Sequence, residues 1–399
     1  MDFMKFFRRK LKNGITVVME KRDLGIVTLG IVNRFGGAYE TVEEKGVAHF
    51  IEHLLFTGTK ERTSEEISRA IEKKGGILNA FTANEMTCFW FTLPSEHLFS
   101  GLDILTDMLK NTKFDEEKFE KEKKVILEEI KMYNDNPRAR AQEKLISNLY
   151  DEPFGIGIIG TKKSVSELSR DRVKEIYWGA YNPENYIVSV VGNGDFEEIC
   201  NYFEKNFEGT GKKVKKKEIK KRNSGGMEER AGIDQANFFF GIHAPLEEEK
   251  ENYVLHVLDA YLAYGMSSRL FIEIREKRGL AYAVGSSLES EKDYAFYEIY
   301  VGTTKDKVDE VKKIILEEFG KIKDMTEEDL QKAKETAVGL RKISSEESKD
   351  VMKELAVSEM VGNVEDYYKY EEKINSVTLK EVKKLAKIEK YSSFALVPK

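Results

Sequence analysis

The sequence predicts an α+β protein built from two related domains, each with helices packed on one face of a mostly antiparallel sheet. Three observations predict this class. Segments of alternating apolar and polar residues, which are typical of strands, are interspersed with amphipathic helical segments along the whole chain. The same order of elements occurs twice, about 200 residues apart. A basic, polar segment at residues 210–226 separates the two copies.

The two copies share a strand, a helix and a closing strand in the same order. These elements are predicted at 27–35, 49–56 and 186–191 in the first copy and at 236–244, 253–261 and 391–397 in the second. A repeat of this length indicates two domains of one fold rather than a solenoid. We therefore predict an N-terminal domain at 1–209, a linker at 210–226 and a C-terminal domain at 227–399.

The predicted linker has two interpretations. Its sequence, TGKKVKKKEIKKRNSGG, is rich in lysine and ends in Ser-Gly-Gly, which is typical of a solvated connection between domains. The other interpretation is an electrostatic docking strip for acidic partners. The net charge of −6 over the whole chain favours the solvated connection.

Composition excludes several classes of protein. With 41% hydrophobic and 34% charged residues, the chain fits neither a disordered nor a membrane-embedded protein. No apolar run approaches the roughly 20 residues that span a bilayer, and none follows the basic N-terminal cluster as a secretory signal requires. We therefore expect a cytoplasmic protein without membrane contact. The acidic charge balance also argues against nucleic acid as a partner.

The five histidines include one pair with the spacing of a metal site. His49 and His53 are four residues apart on a predicted helix, so both imidazoles lie on the same face. Glu52 lies beside that face, where a carboxylate can take a proton from a zinc-bound water without binding the zinc. The pattern H-x-x-E-H is the inverted zinc-peptidase motif. The alternative, three polar residues with no shared ligand, requires a chance match of on the order of one in a hundred chains.

A catalytic zinc usually takes three protein ligands, and a carboxylate-rich helix at 115–133 offers candidates for the third. Glu122 and Glu129 are seven residues apart, so they lie on the same side of the helix, two turns apart. Apolar residues, including Val125, flank that side, which favours burial of these two carboxylates. Glu128 points about 100° away from Glu129 and is the weaker candidate.

The chain resembles the pitrilysin and insulin-degrading enzyme family, and most closely the subfamily of mitochondrial processing peptidase and its bacterial and archaeal relatives. The segments that carry the resemblance cover nearly the whole chain. They read LKNGITVV, GVAHFIEHLLFTGT, GGILNAFT, EKKVILEEIKMY and YGMSSRLFIEIREKRGLAY. Together they are far more specific than the five-residue motif alone.

The resemblance implies a zinc endopeptidase with one zinc ion per chain. His49 and His53 match the family's histidine ligands, and Glu129 matches its distal glutamate ligand. Glu52 matches the general base. Glu122 matches a residue that orients a ligand histidine without binding the metal.

The resemblance also implies a substrate site in two parts. Asn79 and Ala80 match the family's substrate-binding edge strand, which holds an extended peptide by backbone pairing. Arg275 and Tyr282, in the second copy, match a pair that contacts the substrate carbonyl and stabilises the oxyanion.

Finally, the resemblance implies an assembly. In this family one two-domain unit faces a second across a closed chamber, and this chain has a single unit. We therefore expect a homodimer that cuts peptides or unfolded protein segments. The alternatives are a non-catalytic structural subunit and the zinc-bearing subunit of a heterodimeric processing peptidase. A nucleic-acid binder that uses residues 212–222 is the weakest alternative.

Overall fold

The computed structural model describes residues 5–399, which form eleven strands and fourteen α-helices. The strands β1–β11 are Lys5–Lys10, Thr16–Lys21, Ile26–Asn33, Ile77–Thr82, Thr87–Pro94, Tyr186–Gly192, Gly225–Arg230, Ala236–His243, Ala281–Ser290, Ala295–Thr303 and Ser392–Pro398. The helices α1–α14 are Val47–Leu55, Ser64–Glu72, Leu98–Asn111, Glu116–Asp135, Pro137–Leu149, Lys162–Glu167, Arg170–Ala180, Phe196–Asn206, Lys250–Leu262, Val308–Lys321, Glu327–Ser344, Ser348–Val361, Tyr370–Ser376 and Leu379–Leu385. The strands and helices predicted for the two copies begin and end within three residues of the observed ones.

Two compact units make up the chain, and neither is continuous in sequence. Unit 1 comprises residues 1–130, 156–218 and 344–364, of which 1–4 lie outside the described range. Unit 2 comprises 131–155, 219–343 and 365–399. Each unit therefore includes a segment from the opposite half of the chain, which the contiguous boundaries predicted from the sequence do not contain.

The two sheets have the same topology. In unit 1 the strand order is β1-β2-β6-β3-β5-β4, and in unit 2 it is β7-β11-β8-β10-β9. In each sheet one neighbouring pair is parallel, β2 with β6 and β7 with β11, and all the other pairs are antiparallel. The sheets thus match strand for strand, apart from the extra β1. The predicted class, two related domains that each combine helices with a mostly antiparallel sheet, is confirmed, and so is the internal repeat.

Helices cover both faces of each sheet, whereas one helical layer was predicted. In unit 2, α5 packs on β8 at Gly241, where an added Cβ would lie 2.9 Å from Leu145. In unit 1, α12 packs on β3 and β6, and the hydroxyl of Ser189 donates to the carbonyl of Met352 at 2.7 Å. Both helices belong to the segments that each unit takes from the opposite half of the chain, which we call the exchanged segments. The second layer therefore comes from a part of the sequence remote from the sheet that it covers.

The main core of unit 2 lies between its sheet and helices α9, α10 and α11. Alternate residues of β8, Ala236, Phe238 and Phe240, point into this core and are at most 2% exposed. The alternation is what one face of a strand produces. Every residue of β10 is buried, as expected for a strand with helices on both sides.

The predicted linker is partly anchored. Lys216 forms a salt bridge of 2.6 Å with the buried Glu85, and the amide of Lys217 donates to the carbonyl of Ala38 at 3.2 Å. Both contacts lie within unit 1. In this segment the chain passes from unit 1 to unit 2 between residues 218 and 219. The last linker residues, Gly225 and Gly226, already belong to β7, so the linker is shorter than predicted at its C-terminal end.

Within residues 5–399, no helix combines the length and the apolar character needed to cross a bilayer. The cytoplasmic location expected from composition stays a prediction.

Candidate metal centre

Helix α1, which carries the H-x-x-E-H motif, begins at a glycine. Gly46 has φ +94°, a left-handed conformation, and an added Cβ would lie 2.7 Å from the carbonyl oxygen of Ile159. A glycine offers no side chain to cap the first amides of the helix. The remote carboxylate of Glu40 replaces that cap by accepting from the amides of Gly46 at 3.1 Å and Ala48 at 2.8 Å.

Glu40 is itself held by a buried lysine. The ammonium of Lys45 lies 3.4 Å from the carboxylate of Glu40 and donates to the carbonyl of Gly37 at 2.7 Å. Both charged side chains are fully buried. Burial raises the pKa of Glu40 and lowers that of Lys45, although each partner opposes the shift of the other. This network fixes the start of α1.

The apolar face of α1 packs into unit 1 and orients the motif. Val47, Phe50, Ile51 and Leu54 are at most 1% exposed. The ring of Phe50 stacks on Phe119 of α4, with ring centroids 4.7 Å apart. The stacking holds α1 against α4 and brings the polar faces of the two helices together.

His49, His53 and Glu129 converge on one point. The Nε2 atoms of His49 and His53 lie 3.8 Å and 3.6 Å from the Oε2 atom of Glu129. The possible ligand atoms of the three side chains all lie within 4.8 Å of one another. Among the histidines, cysteines and acidic residues of the described chain, this is the group that could share one ion.

This arrangement fits a zinc ion. Zinc bonds of about 2.0–2.2 Å at a tetrahedral angle place ligand atoms roughly 3.3–3.6 Å apart, close to the measured separations. Two imidazole nitrogens and one carboxylate oxygen are a set of donors that zinc prefers. The three side chains are 15–30% exposed, so solvent reaches the site.

The second ring nitrogens of the two histidines differ in their surroundings. The Nδ1 atom of His53 lies 3.2 Å from the carboxylate of Glu122, as is usual for a metal-binding imidazole held in one orientation. The Nδ1 atom of His49 is buried and has no hydrogen-bond partner among residues 5–399. Burial, together with His53, lowers the pKa of His49 to about 4. Burial would lower the pKa of His53 too, but its hydrogen bond with Glu122 and the nearby Glu129 raise it.

Glu52 is held by a hydroxyl group. Thr82, the last residue of β4, donates to the Oε2 atom of Glu52 at 2.5 Å. Burial raises the pKa of Glu52, and the hydrogen bond from Thr82 opposes this shift in part. A carboxylate with a raised pKa accepts a proton more readily near neutral pH.

Strand β4 lies at the edge of its sheet and, within residues 5–399, pairs only with β5. Asn79 on this strand is exposed, and its side chain accepts from the amide of Ala80 at 2.8 Å. The open edge has the free backbone groups that an added strand requires. The predicted substrate residues therefore lie on an edge strand that contributes Thr82 to the metal centre.

Arg275 and Tyr282 lie in unit 2. Arg275 belongs to a π-helical turn, Phe271–Glu276, and its guanidinium lies 4.8 Å from the ring centroid of Phe271. Lys277 caps the C-terminal end of the turn, and Gly279 follows with φ +60°. Tyr282 is 46% exposed. π-helical turns are rare and occur often at functional sites.

One expectation from the sequence was wrong, and two contributions to the site were missed. Val125 was expected to pack beside the carboxylates of α4 but is 39% exposed, whereas Ile126 and Ile130 do pack there. The contributions of Thr82 and Glu40 were missed, because each reaches the motif through tertiary structure. The one sequence signal for Thr82 was its place as the last residue of GGILNAFT, the segment that also contains Asn79 and Ala80.

Comparisons with known proteins identify the family of this chain. Residues 16–162 match the family model described as insulinase (peptidase family M16), and residues 167–337 match the model described as the peptidase M16 inactive domain. An uncharacterized zinc protease of Rickettsia felis is 34% identical over 330 residues, which cover 82% of this chain and 80% of that protein. The chain belongs to peptidase family M16.

Two further comparisons extend over nearly the full chain. An uncharacterized zinc protease of Bacillus subtilis is 30% identical over 391 residues, 95% of this chain and 94% of that protein. The crystal structure of a protease from Helicobacter pylori superposes with a TM-score of 0.93 at 22% identity and covers 99% of both chains. The structural likeness supports the fold, and the sequence likeness supports the family.

Proposed function

We propose that this chain is a zinc-dependent endopeptidase of the processing-peptidase-like subfamily. The observation that carries the proposal is the convergence of His49, His53 and Glu129 beside Glu52. The three ligand candidates would hold one zinc ion, whose Lewis acidity activates a water molecule and polarises the substrate carbonyl.

The side chains of unit 1 have distinct tasks in this proposal. Glu52 takes a proton from the attacking water and delivers it to the departing amine. Thr82 keeps the carboxylate of Glu52 in one orientation through the 2.5 Å hydrogen bond. Glu122 holds the ring of His53 so that its Nε2 atom faces Glu129.

The substrate is an extended peptide or an unfolded protein segment. The open edge of β4 pairs with the peptide backbone at Asn79 and Ala80, which makes binding tolerant of side-chain sequence. Arg275 and Tyr282 contribute donors to the oxyanion. By the family resemblance they act across a homodimer that encloses a chamber, so each active site takes residues from two copies.

Cleavage of unstructured peptides of graded length tests the proposal. Wild-type protein and Glu52→Gln are compared with and without a chelator, and zinc content is measured in parallel. We expect Glu52→Gln to retain zinc and to lose at least about 10²-fold in kcat/KM. The chelated wild type should be inactive. Light scattering of the purified chain reports whether the active species is a homodimer.

Glu129 and Glu128 form a matched pair for the ligand assignment. Glu129→Gln should lose zinc, whereas Glu128→Gln, one residue away on the same helix, should keep it. Full zinc occupancy with no cleavage by the wild type would instead favour the structural subunit or the heterodimeric peptidase. A wild type without stoichiometric zinc would contradict the proposal.

A further inference from the structure

A cleft of about 410 Å³ opens beside the metal centre in unit 1. Glu52 and His53 form one side, and Phe56, just after α1, contributes an apolar surface. Lys118 and Lys121 of α4 also line the cleft. We call this space the lysine cleft. Because Glu52 lines it, a side chain that enters belongs to a residue next to the bond being cut.

The first lysine of the cleft is fixed in place. The ammonium of Lys118 donates to the carbonyl of Thr57. An added Cβ on Gly58 would lie 3.3 Å from the same ammonium. The carbonyl accepts a hydrogen bond but carries no full charge, so Lys118 keeps its positive charge unneutralised in the cleft.

The second lysine is available to a ligand. Lys121 is exposed, lies three residues from Lys118 on the same helix and takes part in no salt bridge within the described chain. Residues three apart on a helix lie on neighbouring parts of one face. The two ammonium groups therefore present positive charge to the same space.

The two acidic side chains that line the cleft have hydrogen-bond partners. Glu122 pairs with His53, and Glu52 accepts from Thr82. At the start of α2, where Ser64 lines the cleft, Glu65 pairs with Arg69 and Glu66 accepts from the amide and hydroxyl of Thr63 in a capping box.

The formal charges of the cleft and the metal centre give a positive sum. A divalent ion and the two lysines carry one positive charge more than the carboxylates of Glu52, Glu122 and Glu129. A desolvated acidic group is therefore favoured over a basic one in this cleft.

We propose that the lysine cleft makes the enzyme prefer peptides with aspartate or glutamate next to the scissile bond. The apolar surface of Phe56 contacts the methylene groups of such a side chain, and the ammonium groups meet its carboxylate. This inference rests on the proposed peptidase function, because it concerns a subsite of the same active site.

The test uses a random peptide mixture whose cleaved bonds are identified by mass spectrometry. At one of the two positions flanking the cut, we expect Asp and Glu to exceed Lys and Arg by at least about fivefold. Lys121→Glu should abolish or reverse this preference. Lys124→Glu, which makes the same charge change one turn further along α4 outside the cleft, should retain it.

A binding measurement separates this inference from the peptidase proposal. Fluorescence anisotropy of zinc-loaded Glu52→Gln compares peptides that differ in one Asp, Asn or Lys. Tighter binding of the Asp peptide, lost in the double variant with Lys121→Glu and weakened at high salt, supports the lysine cleft. Cleavage without acidic preference, or a preference unchanged by Lys121→Glu, overturns the cleft assignment alone. If the wild type cuts no peptide and Glu52→Gln binds none, both proposals fail.

Discussion

Helices α1 and α9 occupy the same place in two sheets of the same topology, since α1 follows β3 and α9 follows β8. Both carry histidine and acidic residues, but the neighbours of those residues differ. On α9, Asp259 accepts from Ser286 and Tyr297, both at 2.6 Å. On α1, the ring nitrogens of the motif histidines face the carboxylate of Glu129 at distances that leave room for an ion.

The comparison shows which copy of the duplicated fold carries the candidate metal centre: the one whose helix has polar groups without protein partners in the described part of the chain. On α9, the side chains of Asp259 and His256 are hydrogen-bonded within unit 2, so they contribute to stability and to a unique core. The polar groups of α1 are only partly satisfied within residues 5–399. In the proposed function, their remaining partners are a metal ion and a substrate. Three predictions follow from this difference, from the largest expected effect to the smallest.

Removing the remote cap of α1 should have the largest effect. Glu40→Ala leaves the buried ammonium of Lys45 without its partner and the amides of Gly46 and Ala48 without an acceptor. Loss of one partner of a buried ion pair lowers the free energy of unfolding by about 3–5 kcal/mol. Urea denaturation measures this loss.

The control is a substitution at the start of α9, the helix at the equivalent position in unit 2. Glu249→Ala, at the start of α9, removes one exposed bond to the amide of Leu246 and should change the free energy of unfolding by less than about 0.5 kcal/mol. Equal effects of the two substitutions would show that the buried pair is not what stabilises α1.

A second pair of substitutions compares the acidic residues of the two helices. Asp259→Ala removes the acceptor for the hydroxyls of Ser286 and Tyr297, and we expect the free energy of unfolding to fall by about 2–4 kcal/mol. Glu52→Ala removes a carboxylate whose pKa is raised by burial. The free energy of unfolding of the metal-free Glu52→Ala variant should fall by less than about 1 kcal/mol, or rise.

Thermal and urea denaturation of the metal-free proteins measure this difference. A large destabilisation by Glu52→Ala, equal to that by Asp259→Ala, would remove the distinction between the two helices. Asp259 lies in unit 2, away from the proposed zinc ligands of unit 1. Asp259→Ala should therefore leave the zinc content unchanged, and this variant is the control for metal binding.

The smallest predicted effect is a pH dependence from His256 on α9. Burial, and to a lesser extent Arg341, lowers the pKa of His256 to about 4 in the folded protein, against about 6.5 in an unfolded chain. Between these values the unfolded state binds more protons, so stability is fully present above pH 6.5 and falls as the pH falls towards 4. We expect His256 to lower the free energy of unfolding by about 2 kcal/mol as the pH falls from 7 to 4.5.

The measurement compares metal-free wild type with His256→Gln, which can still bond to the hydroxyl of Tyr370. In the wild type the Nδ1 atom of His256 lies 2.8 Å from that hydroxyl. The difference in the free energy of unfolding between the two proteins should change between pH 7 and pH 4.5. If the free energies of unfolding of the two proteins changed in parallel with pH, His256 would not be the source of the pH dependence.

Local sequence patterns predicted the parts of the molecule that depend on local structure. The spacing of His49 and His53 placed both imidazoles on one face, and the repeated order of elements predicted the duplicated sheet. Choosing Glu129 over Glu122 required the family resemblance, because periodicity places both on the same side of α4. The distances now place Glu129 against both ring nitrogens and Glu122 behind His53.

Contacts between residues remote in sequence could not be predicted in this way. Glu40 reaches the first amides of α1 only because the turn around Gly37 and Lys45 folds back. The bond from Thr82 to Glu52 depends on how α1 crosses the edge strand. Packing of α12 on the first sheet joins residues separated by more than 150 positions, such as Ser189 and Met352, and no periodicity within either segment indicates that pairing.

The exchange of α5 and α12 has a consequence for synthesis of the chain. When residue 209 has been added, all six strands of the first sheet exist, but the helix Ser348–Val361 that covers one face does not. Translation must add a further 138 residues before that helix begins, which takes about 7–28 s at roughly 5–20 residues per second. During that interval the nascent N-terminal half has an uncovered apolar sheet face. The two halves of the gene therefore cannot be separated without leaving one sheet face uncovered in each product.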